Sequence, residues 1–104
     1  MSYNTGNIVK ASVLSITLSP ALVAANTTAE QTFTVNGLQV GDWVGVIKPT
    51  NQAGLAVVNS RVSAANTLAI SFGNFTAAGI TPTASQVYSV MIARPDSTIT
   101  DGNI

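Results

Sequence analysis

Glu30 and Asp42 are the residues that most invite a chemical reading. They flank two strand-like runs, Thr32–Val35 and Asp42–Ile47. Two carboxylates brought together across such a pair would be the acid and base of glycoside hydrolysis, but that chemistry needs a cleft, for which a small β-domain has little room. Asp96 and Asp101, with Asn103, have oxygens for a calcium ion, yet with no fixed loop between them they are a weak match to a calcium site. Nucleophilic catalysis fares no better. Ser and Thr are plentiful, but there is no His and no Cys, so a hydroxyl would have only a lysine to activate it. Lys48, before Pro49 at a strand end, reads more simply as a solubilising charge. The same absences remove the commonest metal ligand and every disulfide or thiolate zinc site. No glycine loop has phosphate-binding spacing. The expectation is a protein with no enzymatic activity, no cofactor and no metal.

Trp43, Tyr88 and Phe75 are candidates for a sugar-stacking platform, but their wide spacing and strand-face positions favour core aromatics. Arg61 and Arg94 sit among apolar neighbours in strand-like runs. Each is expected to pair with a carboxylate or to make an interface hydrogen bond, with a rim or edge charge as the default.

Composition narrows the class. A chain of 104 residues is one domain, long enough to bury a core without cross-links. Net charge is zero, so bulk attraction to nucleic acid or an anionic membrane is not expected. Charged residues make up 8% of the chain, against about 25% in an average soluble domain. So few like charges protect a free monomer poorly against association, which suits a chain that is normally docked against copies of itself or a partner. A neutral extracellular module is the competing explanation.

The elements follow from period-two patterning. Leu14, Ile16 and Leu18 alternate with Ser15 and Thr17 in a strand over Ile8–Leu18; this argues against reading Lys10, Ala11–Val23 and Ala24-Ala25 as a secretion signal. Thr32–Val35 and Asp42–Ile47 are joined by a connector whose Asn36-Gly37 and Gly41-Asp42 are turn dipeptides, with Leu38 between them as a plug over the core end. Leu55–Val62 and Thr67–Phe72 form a hairpin, and Gln86–Arg94 is the last strand. The pattern predicts an all-β fold, a small antiparallel β-sandwich (Ig-like or jelly-roll-like) of six to eight short strands. Its expected core is Phe33, Val35, Leu38, Trp43, Leu68, Ile70, Phe72, Tyr88 and Val90. The expected layout is an N-terminal arm over residues 1–10, the sandwich over 11–95 and a tail over 96–104.

Two strands are apolar on both faces. Asp42–Ile47 has Trp43 and Ile47 on one face, Val44 and Val46 on the other; Gln86–Arg94 has Tyr88, Val90 and Ile92 against Val87, Met91 and Ala93. Such strands are expected to be central, with the second face covered by loops or by another subunit. Candidate interface residues are therefore Val44, Val46, Val87 and Met91, with Arg61 and Arg94. The polar segments Met1–Asn7 and Asp96–Ile104 are expected to be docking arms, with Tyr3 and Ile104 as apolar anchors.

Over Ala24–Ile92 the chain resembles small β-rich virion proteins of tailed bacteriophages, of the capsid decoration (cement) type or comparable tail and fibre modules. The resemblance rests on TFTVNGLQVGDWV, QAGLAVVNSRVSAANTLAISF and TPTASQVYSV. It is one of sequence style and brings no catalytic residues. It implies a structural protein on the capsid surface, made in the host cytoplasm. Its partners would be the major capsid protein and copies of itself, as a homo-oligomer on the particle, with no nucleic acid and no membrane. A tail or fibre module and a carbohydrate-binding or adhesin-like sandwich are the alternatives.

Overall fold

The computed structural model describes residues 6–100, and in them alternation of apolar and polar side chains becomes six strands: β1 (Ile8–Leu18), β2 (Thr27–Thr34), β3 (Trp43–Ile47), β4 (Leu55–Ala64), β5 (Thr67–Asn74) and β6 (Gln86–Pro95). They form two antiparallel three-stranded sheets in the orders β1-β6-β3 and β2-β5-β4. β1 begins inside the segment expected to be an arm. The all-β, two-sheet architecture is the one the patterning predicts.

The core lies between the sheets and is centred on β5 and β6, each flanked on both sides. Leu68, Ile70, Phe72, Tyr88 and Val90 are fully buried, and Leu14, Ile16, Phe33, Val44, Val46 and Val57 pack around them half-buried from the flanking strands. Removing side chains of this size from such a core costs about 2–5 kcal/mol each.

Two expectations about β3 are overturned. It is an edge strand, not a central one. Its phase is also inverted: Val44 and Val46 face inward, whereas Trp43, expected in the core, is 79% exposed and Ile47 is exposed beside it. β3 lies close to β4 of the other sheet, where the Ser60 hydroxyl donates to the Val44 carbonyl at 3.1 Å.

With few charges, uncharged polar groups staple the loops. In the two-residue turn between β4 and β5, Asn66 adopts φ +60, a conformation Asn tolerates. There its N–H donates to the Leu38 carbonyl, its carbonyl accepts from Val35 N–H and its side-chain oxygen accepts from Gly37 N–H. The β2–β3 crossover is thereby sewn to the hairpin, and Leu38 is the core plug its position suggests. At the other end, fully buried Asn74 donates to the carbonyls of Val23 and Ala78 and accepts from the N–H and hydroxyl of Thr76. Gln31 and Gln52 make two-way amide pairs with Ala21 and with Thr81 and Thr83. Buried polar groups cost stability unless bonded, and this set is bonded.

Candidate docking surface

The outer faces of the two sheets differ sharply. Strand register places Glu30, Ser71 and Asn59 in one row across the β2-β5-β4 sheet, and Thr32, Ala69 and Arg61 in the next. Arg61 reaches back over the middle strand to grip Glu30 with two hydrogen bonds of 2.8 Å. This face carries its own ion pair, and its large apolar members are Val58 and Phe75, exposed beside Gly73.

The β1-β6-β3 sheet is apolar outside as well as inside. Its outward rows are Ala11, Ala93 and Trp43; then Val13, Met91 and Gly45; then Ser15, Ser89 and Ile47; then Thr17 and Val87. No charged side chain stands in these rows. Val13, Trp43, Ile47, Val87 and Met91 are all more than half exposed. Next to Trp43 the face continues into a hollow of about 370 Å³ lined by Ile8, Pro95 and Ile99 among others. An exposed face this apolar is a candidate docking surface.

Of the candidate interface residues, Val87 and Met91 stand on this face. Val44 and Val46 do not, since β3 turns them into the core. Arg61 lies on the opposite sheet. Arg94 is not free for a partner: its Nε and Nη2 hold the two oxygens of Asp42 at 2.8 Å, and Nη2 also donates to the Gly37 carbonyl. Tyr3 and Ile104 lie outside the described residues. Where the two terminal segments are described, they bind each other: Asp96 N–H donates to the Asn7 carbonyl and the Asn7 amide to the Ser97 carbonyl. Sequence reading missed Trp43, Ile47 and Val13 as surface residues. For Val13 the signal was present, because inward Leu14 and Ile16 leave it outward.

The candidate chemistry does not assemble. Glu30 and Asp42 are each committed to a different arginine, whose hydrogen bonds hold both carboxyls below the usual range while partial burial opposes the shift. Lys48 donates to the Thr50 carbonyl and hydroxyl, and burial lowers its pKa. Among the described residues no three His, Cys, Asp or Glu cluster to hold a metal; Asp101 and Asn103 of the weak calcium candidate are outside them. The three aromatics fall in three layers. Trp43 is outside one sheet, Tyr88 is between the sheets, and the Phe75 ring lies outside the other sheet, over Gly73. They form no common platform.

Comparison with known proteins finds no matching family model, no matching curated protein and no matching solved structure.

Proposed function

We propose that this chain is a structural assembly subunit, a decoration protein of a tailed-bacteriophage capsid that binds across neighbouring major capsid subunits and reinforces the shell. One observation carries the assembly part of this reading: the uncharged, apolar outer face of the β1-β6-β3 sheet, which leaves Trp43 and its neighbours in water unless another surface covers them. The virion part is supported by the sequence resemblance. The mechanism is additive contact: separating shell subunits also breaks the contacts of the bridging protein, and many bound copies turn modest affinities into avidity. With little charge at the contact, binding depends weakly on salt.

The test is fractionation of lysates containing phage particles, with the chain followed by antibody through a density gradient. Sedimentation with capsids supports the reading. Sedimentation with free tails or fibres overturns it in favour of a tail module. A chain found only at the top of the gradient overturns both. Trp43 exposure favours a carbohydrate-binding reading as the second choice; retention on immobilised polysaccharide, lost on Trp43→Ala, would replace the assembly reading.

A further inference from the structure

We propose that the outer face of the β1-β6-β3 sheet is the contact between two copies of this chain, packed face to face about a two-fold axis. The argument is the order of large and small residues on that face. Strand register aligns Ala11, Ala93 and Trp43 in one row and Val13, Met91 and Gly45 in the next. The first row reads small, small, large. The second reads large, large, empty, since a Cβ built at Gly45 meets nothing within 4 Å. A two-fold axis lying between the facing sheets, perpendicular to the strands and midway between these rows, exchanges one row with the other. Trp43 then stands over Gly45 of the second copy, Met91 over its Ala93 and Val13 over its Ala11, and the reciprocal contacts repeat. A self-complementary patch of this kind is what an isologous interface requires, and aligned packing of two sheets is a standard arrangement.

Charge and area agree with a second copy as the occupant. The face holds none of the chain's charges in its rows, so it opposes its own image without like-charge repulsion. β1 and β6 are 11 and 10 residues long. β3 adds only 5 residues, so with a rise of about 3.4 Å per residue and about 4.8 Å between strands the face measures roughly 10 by 35 Å over β1 and β6 and roughly 5 by 17 Å over β3. Covering it on both copies removes on the order of 1,000 Å² from water, the lower limit of specific interfaces, so the pair is expected to be reversible. In such a pair this face is taken by the second copy, and a bridge between shell subunits would use the opposite, β2-β5-β4 side of each copy. In that use the inference rests on the assembly reading above.

The dimer is tested on the purified full chain, without particles. Sedimentation velocity across a dilution series should show protomer and dimer, and the emission of the sole tryptophan, Trp43, should move to shorter wavelength as dimer forms. Gly45→Leu fills the hollow on an exposed strand position with no left-handed φ and no clash, so the protomer keeps its fold. The dimer dissociation constant should rise by at least about tenfold, a 1.4 kcal/mol loss. The double variant Trp43→Gly with Gly45→Trp swaps large and small on β3 and should restore association. A wild-type chain that stays a protomer to millimolar concentration, or a Gly45→Leu chain that pairs as well as wild type, overturns the inference. Particle binding is scored separately: a dimer that never joins particles fails only the virion reading, and a protomer that does join them fails only this one.

Discussion

Arg94 and Asp42, 52 residues apart, form a two-pronged ion pair in which the carboxylate side chain is only 1% exposed. The second oxygen of Asp42 also accepts the Gln39 N–H, and Arg94 also holds the Gly37 carbonyl. The pair therefore ties the last strand to both turns of the crossover that leads into β3. Glu30 and Arg61 make the same two hydrogen bonds on an open sheet face.

From this contrast, Asp42→Asn is expected to destabilise the fold on the order of 2 kcal/mol or more, because Arg94 loses its charge partner at a partly buried site. Glu30→Gln should cost less than about 1 kcal/mol, as exposed pairs do. Urea unfolding of the two variants beside wild type measures the order; equal midpoints would refute it.

Stability should stay nearly flat from neutral pH down to about 5, since there is no His to titrate. Asp42 has a folded pKa depressed below its ordinary 3.8. Its contribution is present above that value and is lost as pH falls through the folded pKa. Thermal midpoints should fall below pH 4, and the fall should be shallower in Asp42→Asn. An unchanged acid limb in the variant would assign acid sensitivity elsewhere.

Tyr88 is fully buried, its hydroxyl has no hydrogen-bond partner among the described residues, and burial raises its pKa. An unsatisfied buried hydroxyl carries a desolvation cost. Tyr88→Phe is expected to be neutral or stabilising in a denaturant titration. A loss above about 1 kcal/mol would show that the hydroxyl is bonded in solution.

Trp43→Ala, made at concentrations where the chain is a protomer, should change stability by less than about 0.5 kcal/mol, as for an ordinary surface position. Phe72→Ala, at a fully buried site, should cost about 3–5 kcal/mol. Comparable losses for the two would put the indole back in the core.

The amino-acid sequence by itself determined five of the six strands closely, the β4–β5 hairpin and most of the core; β2, read as Thr32–Val35, runs over Thr27–Thr34. Leu14, Ile16 and Leu18 in β1, and Leu68, Ile70 and Phe72 in β5, alternate cleanly enough for side-chain period to choose a face. The same rule placed Val87 and Met91 outside. β3 carries no such information, because Trp43-Val44-Gly45-Val46-Ile47 is apolar in either phase and bulk alone points the wrong way. Its phase was decided by the tertiary structure: β3 lies at the sheet edge beside β4, where Ser60 bonds the Val44 carbonyl and Val44 and Val46 pack against the core. The partner of Arg94 was beyond local reading for a related reason. Four carboxylates were available to it, and only the fold brings the Gly41-Asp42 turn to the end of β6. The matched rows of Trp43, Gly45, Met91, Ala93, Val13 and Ala11 come from three strands distant in the chain, and pairing register, a long-range property, is what sets them side by side.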